Sequence, residues 1–271
     1  MPQPRPPILL LIASALFFGA AFFTVRFPDT PGAGAGSFIS TLLIALPSFC
    51  ALWRYLGPKR AALSLLFVSV FGYAIETTGV VTGFPYGAFY YGDSLGPRVA
   101  GLVPYLLPLS WVPLVLGAVA ATAPATAPAG KLPRRRALWV LYAAVLLTLV
   151  DVVLDPGAIS LGFWVYPEGG SYYGVPVTNF LGWLLSSSLA AAILLTLGCP
   201  EWNSVPPPPG LLDSAVIAVA FWLGVAVFSG LLFPAVFGVA LFVYLLRRRV
   251  RLAGLAMAGG ARYNDGGDDD R

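Results

Sequence analysis

Three carboxylic acids stand inside apolar stretches of this sequence, where a charge is expensive: Glu76, Asp151 and Asp155. Asp151 and Asp155 are spaced i, i+4, which puts them on one face of a helix. Glu76 lies five residues before Val81, the end of its own apolar run, and Asn179 stands near the start of another, so the four polar groups are read at one level. A carboxylate at membrane depth costs about 3 kcal/mol unless it is protonated, paired or hydrated. No Lys or Arg stands inside those runs, so protonation is the expected state. A carboxylic acid held in an apolar setting can protonate an isolated alkene carbon. The tertiary cation that results is stabilised by aromatic faces, and water then adds to it.

Aromatic residues are concentrated where such chemistry needs them. Tyr86, Tyr90 and Tyr91 fall in the connection Thr82–Leu102, and Trp164, Tyr166, Tyr172 and Tyr173 in Pro156–Pro176, with Trp183 on the helix that follows. Tyr86, Tyr90, Tyr91, Trp164, Tyr166, Tyr173 and Trp183 are the candidate substrate-contacting residues, and Glu76, Asp151, Asp155 and Asn179 the candidate catalytic ones. Each also has a plainer reading. The aromatic rings could anchor the chain at the membrane interface; Asp155, before Pro156-Gly157, could shape the turn that ends its helix; Glu76 could join two helices through a hydrogen bond. Asp213 reads as a helix N-cap and not as a site residue.

Histidine is absent, which removes the usual ligands of haem, di-iron, copper and catalytic zinc sites and argues against oxygenase chemistry. The only lysines, Lys59 and Lys131, lie between apolar runs, so no retinal Schiff base is expected within a helix. Cys50 and Cys199 show no paired spacing and read as small core residues. No metal site and no cofactor fingerprint is found.

The elements that must carry these residues are helices in lipid. The 271 residues are 58% hydrophobic and 10% charged, with mean hydropathy +0.82, a balance that a water-facing surface could not support. Runs near the ~20 residues needed to cross a bilayer are Pro7–Val25, Phe38–Tyr55, Ala61–Val81, Val103–Ala121, Ala137–Leu154 and Val177–Leu197. A seventh block, Leu211–Leu246, is long for one span and short for two, and Ser229-Gly230 with Pro234 could divide it. Charge argues for eight. With a cytoplasmic N-terminus and eight spans, 14 of the 16 basic residues lie inside and only Arg26 and Arg98 outside; seven spans would put the cluster Arg247–Arg251 on the wrong face. The expected protein is an all-α, polytopic bundle of about eight spans in the cytoplasmic membrane. Residues 1–246 would form a single transmembrane domain, and 247–271 a basic, then acidic, disordered cytoplasmic tail. The net charge of +4 sits between apolar runs and points to no nucleic acid.

The chain also resembles itself. Glu76 precedes Gly83-Phe84 by seven residues, as Asp155 precedes Gly162-Phe163; then come Tyr90-Tyr91-Gly92 and Tyr172-Tyr173-Gly174. Val103-Pro104 is followed by Trp111, and Val175-Pro176 by Trp183, with seven residues from Pro to Trp both times. Spans 3–4 and 5–6 thus read as a parallel repeat that would bring Glu76 and Asp155 together.

Three blocks carry a further likeness: Glu76-Thr-Thr-Gly79 with Gly83-Phe-Pro-Tyr-Gly87 and Tyr90-Tyr91; Asp151-Val-Val-Leu-Asp155-Pro156 with Gly162-Phe-Trp164; and Tyr173-Gly174-Val-Pro176 with Asn179-Phe-Leu-Gly182-Trp183. Over residues 60–200 the sequence resembles the CruF-type carotenoid hydratases, which include the haloarchaeal bisanhydrobacterioruberin hydratases. The resemblance implies cofactor-independent addition of water to the terminal double bond of an acyclic carotenoid end, giving a tertiary hydroxyl. It implies a carotenoid substrate taken from the bilayer and the company of other carotenoid biosynthesis enzymes; because the chain is net basic, unlike the strongly acidic proteins of halophiles, the expected ends are of lycopene or gamma-carotene type. It supplies no catalytic residues, so the roles of the acids rest on the residues themselves. Two readings from other classes stay open: a proton- or cation-coupled transporter using the same acids, and a noncatalytic carotenoid-binding membrane subunit.

Overall fold

The computed structural model describes residues 7–28, 30–124, 132–198, 201–204 and 206–265. Helix α1 (Ile8–Arg26) leads into α2 (Ala33–Thr82), which is broken at Gly57, where φ is +74°. Gly57 tolerates that conformation and Pro58 cannot donate an amide to the carbonyl four residues back, so the helix stops and restarts there. Phe38 stacks on Tyr105 with ring centroids 6.2 Å apart, and the Tyr73 hydroxyl donates to the Tyr105 carbonyl over 2.8 Å. A straight helix would hold Phe38 and Tyr73 about 52 Å apart. The chain therefore doubles back at Gly57, and residues 33–56 and 58–82 are two arms of a hairpin that coincide with the second and third apolar runs.

Next come α3 (Leu107–Ala121), α4 (Leu132–Ser160), α5 (Val177–Leu197) and the one-turn α6 (Glu201–Ser204). A 3₁₀ turn, Pro209–Leu212, leads into α7 (Asp213–Phe228), and α8 (Leu232–Asp265) ends the described chain. α3 begins four residues later than its apolar run, because Val103–Pro104 is used in a β-bridge instead. The Leu211–Leu246 block divides at Ser229 to Leu231, where Gly230 takes φ +73° and the Leu231 amide returns to the Ala226 carbonyl. α8 continues past Leu246 to Asp265, so the segment read as a disordered tail is helical as far as it is described. Arg249 on it pairs with Asp213 over 3.0 Å. Asp213 makes no capping hydrogen bond and is an ion-pair partner, a correction to the N-cap reading. Cys50 is exposed rather than in the core; Cys199 lies outside the described residues.

α7 and α3 are the most enclosed helices: Trp111 to Ala121 of α3 is buried throughout, and α7 packs against α1, α2, α3, α4 and α8. Small residues let the backbones close. A Cβ at Gly224 would meet the Phe18 carbonyl at 2.6 Å, and one at Gly157 would meet Val225 and Trp222. Outward, Ile8, Leu9, Leu66, Val81, Leu181 and Phe233 are 56–79% exposed, a surface suited to hydrocarbon and not to water. Among the described residues five helices are long and apolar enough to cross a membrane, and α3 is a shorter apolar helix. This is a helical membrane protein.

Both aromatic connections fold back over one end of the bundle. Within them, β1 (Tyr90–Tyr91) pairs antiparallel with β4 (Trp164–Val165), and β2 (Arg98–Val99) with β3 (Val103–Pro104). Gly92 extends the first ribbon by donating its amide to the Phe163 carbonyl over 2.8 Å. At Gly92 a Cβ would collide with the Gly162 carbonyl, so glycine is what lets the two loops touch.

Candidate active site beneath the aromatic ribbon

The acids sit directly under that ribbon. Asp151 and Asp155, 0% and 1% exposed, face α5, where Asn179 is 2% exposed. The Asn179 amide nitrogen donates to Asp151 Oδ2 over 2.8 Å and also to Asp155 Oδ2. One NH₂ group has two hydrogens, so a single asparagine satisfies both acids. With both side chains charged, the pair would repel inside an apolar bundle; a proton shared between them removes that cost. Asp151 Oδ1 is buried with no protein partner, an acceptor left for something else.

Asp155 is not a turn residue. α4 runs through Pro156 to Ser160, keeping Asp155 helical and in register with Asp151. Pro156 cannot donate an amide to the Val152 carbonyl; the Tyr172 hydroxyl takes that place, donating to Val152 over 3.2 Å.

Glu76 enters from the second arm of α2. The Tyr91 hydroxyl donates to its Oε2 over 2.6 Å, and Tyr86 lies beside it. Tyr86, 3% exposed, also reaches Ser186 on α5. Its ring lies between two glycines: a Cβ at Gly79 would be 2.8 Å from the ring, and one at Gly182 2.5 Å. The Tyr86 carbonyl is held by the Thr178 hydroxyl over 3.2 Å. Tyr166 caps the other acid, donating to Asp155 Oδ2 over 3.4 Å. Glu76 is near enough to act electrostatically on both aspartates, so the three carboxyls form one cluster.

Most of the expected aromatic residues meet here. Tyr86, Tyr91 and Tyr166 are buried around Phe89, whose ring centroid lies 6.0, 5.5 and 5.9 Å from theirs. Trp164 stands edge-on to Tyr91 at 6.2 Å with a buried indole N–H that has no protein partner, and Trp183 packs against the same cluster. Tyr90 and Tyr173 do not join. Tyr90 is 52% exposed, and Tyr173 is turned to α8, its hydroxyl accepting from the Phe233 amide over 3.4 Å. Alternation along β1 explains the first case, since neighbours in a strand point to opposite faces. The same alternation places Phe89 with Tyr91, a signal that could have found Phe89. Gly79 and Gly182 stand in the motif blocks without a role that sequence alone assigns, and Ser186 gives no signal at all; what each does depends on the ring between the helices.

The fold and the site together define a helical membrane protein whose buried carboxyl cluster lies under an aromatic roof. The family model for carotenoid biosynthesis proteins matches residues 35–245, a stretch that holds every residue of the cluster. The chain is 38% identical over 191 residues to the bisanhydrobacterioruberin hydratase of Haloarcula japonica. That match covers 69% of this chain and 63% of the relative, so less than two thirds of the relative's length is represented. No solved structure matches. The chain belongs to the carotenoid biosynthesis protein family, that of the CruF-type hydratases its motifs resemble.

Proposed function

We propose that this protein is a cofactor-independent hydratase that adds water to the terminal C=C of an acyclic carotenoid end group, of lycopene or gamma-carotene type. The observation that carries the reading is the Asp151–Asn179–Asp155 bridge, with Glu76 beside it and aromatic faces above. One aspartic acid of the pair donates its proton to the less substituted alkene carbon. The tertiary cation forms against the Tyr86, Tyr91, Tyr166 and Trp164 rings. Water attacks it, and Glu76 takes the surplus proton, so that H and OH are added and the enzyme needs only an internal proton return. Asn179, with its NH₂ group engaged by the acids, fixes their geometry and keeps its carbonyl oxygen for the water.

The membrane frame belongs to the same proposal. Eight spans, with both termini in the cytoplasm, are favoured by the two-armed α2, by the break at Gly230 and by the basic residues at one end. The parallel repeat is favoured by the matched ends of α2 and α4, each followed by a glycine at positive φ, Gly83 and Gly162. The substrate would then enter from the bilayer at the outer half of a cytoplasmic membrane, next to other carotenoid biosynthesis enzymes.

The test is Glu76→Gln, Asp151→Asn and Asp155→Asn in a lycopene-producing host, with pigment analysis after growth in ¹⁸O-labelled water. Labelled tertiary alcohol from the wild type, and its loss in the variants, is expected. Undiminished hydroxylated product from all three variants would end the proposal, and proton or cation flux in liposomes without labelled product would favour a carrier.

A further inference from the structure

At the end of the bundle opposite the aromatic ribbon, a groove of about 610 Å³ opens between α4 and α8, with the last residues of α3 at its edge. Its walls are apolar: Tyr142, Val145 and Leu149 on α4, and Phe237, Leu241 and Tyr244 on α8. Tyr142, Val145, Phe237 and Tyr244 are 57%, 42%, 43% and 41% exposed, so nothing within the described chain covers them. One end of the groove is cationic. Arg248 and Arg251, three apart on one helix face, both line it, and no lining residue is an acid.

Arg248 is anchored. Its Nε donates to the Ala121 carbonyl over 2.5 Å and one terminal nitrogen to the Ala123 carbonyl over 3.1 Å, answering the free carbonyls at the end of α3. Those bonds use two of its five N–H donors. Arg251 is close enough for its charge to oppose that of Arg248. Two positive charges thus face one groove with donors to spare and no carboxylate in its lining. An anion bridging them would make charge-assisted hydrogen bonds and cancel the repulsion. The apolar part sets the rest of the ligand. From Arg251 to Phe237 the wall runs about 21 Å, longer than one leaflet's half of a ~30 Å hydrocarbon core. A small free anion would leave those walls bare, and a zwitterionic lipid brings its own cation to the arginines.

We propose that the α4–α8 groove is a binding site for an anionic phospholipid, with its phosphate on Arg248 and Arg251 and an acyl chain along Val145, Leu149, Phe237 and Leu241. The site is separate from the carboxyl cluster and does not depend on what that cluster does.

Native mass spectrometry of the full chain, purified in detergent and supplied with phosphatidylglycerol or phosphatidylcholine of identical chains, tests it. The wild type is expected to retain phosphatidylglycerol ~5-fold better or more, on the scale of one arginine's attraction to an anionic lipid. Arg251→Gln removes a charge that holds no helix end and is expected to abolish the preference. Val145→Trp fills the groove and is expected to lower retention of phosphatidylglycerol while the arginines stay in place; gel filtration and thermal unfolding check that both variants fold. Equal retention of the two lipids by the wild type overturns the proposal, as does a preference that survives Arg251→Gln. A carotenoid displaced by Val145→Trp in place of the phospholipid overturns it too.

Discussion

The hydroxyl of Tyr172 donates to the carbonyl of Val152 over 3.2 Å, supplying the hydrogen bond that Pro156 removes from the helix four residues on. α4 can therefore carry Asp155 through a proline without breaking, and the i, i+4 alignment with Asp151 survives. Tyr172→Phe is expected to destabilise the protein by ~1 kcal/mol, read by thermal unfolding in detergent. In a Pro156→Ala background the restored amide takes the Val152 carbonyl, and the same change is expected to cost nothing. Equal losses in the two backgrounds would show that Tyr172 does not act through that carbonyl.

The Tyr86 ring leaves room for no side chain at Gly79 or Gly182. Gly182→Ala sets a methyl 2.5 Å from the ring and 2.8 Å from the Pro85 carbonyl, whereas the methyl of Gly79→Ala lies nearest to side-chain rings, Tyr86 at 2.8 Å and Phe89 at 3.1 Å. Overpacking of this kind costs ~1–3 kcal/mol. The Gly182 variant is expected to suffer more in unfolding temperature and product yield. Adding Tyr86→Leu should restore stability to Gly79→Ala better than to Gly182→Ala, where the backbone clash persists. Tolerance of alanine at both positions would contradict the placement of the ring.

The acids were legible from sequence because an ionisable group inside an apolar run is costly and stands out there, and the i, i+4 spacing of Asp151 and Asp155 already fixed their shared face. The helical hairpin was legible for the same reason: Arg54, Lys59 and Arg60 interrupt two runs that a single straight helix could not accommodate. What the sequence hid is set by partners far along the chain. Tyr90 and Tyr91 look alike until β1 pairs with β4, more than 70 residues away, and turns one out and one in. Tyr173 follows a tyrosine and precedes a glycine just as Tyr91 does, yet it is drawn to the α8 amide of Phe233. Asp213 sits where a cap would sit, but a cationic α8 that continues as helix reaches it first.

Asn179 holds two acids with one amide, so its loss is felt twice. Asn179→Ala leaves Asp151 Oδ2 without its donor and Asp155 with only Tyr166, and an unsatisfied buried polar group costs ~1–3 kcal/mol. Asn179→Gln keeps the amide but moves it by a methylene, and is expected to retain more stability than alanine while losing most hydration. Full product yield from Asn179→Ala would remove the bridge from the mechanism.

The sharpest separation lies between two adjacent tyrosines. Tyr91 is 8% exposed and donates to Glu76 over 2.6 Å; Tyr90, 52% exposed, points away on the opposite face of β1. Tyr91→Phe removes one hydrogen bond to a carboxyl group, worth ~1.5–3 kcal/mol when that group is charged, while keeping the ring beside Phe89 and Trp164. If Glu76 accepts the proton from water, losing that donor frees the carboxyl group from its fixed orientation and is expected to lower product yield. Tyr90→Phe is expected to leave yield unchanged. Matching yields for the two variants would mean that the Tyr91–Glu76 hydrogen bond does not position Glu76 during turnover.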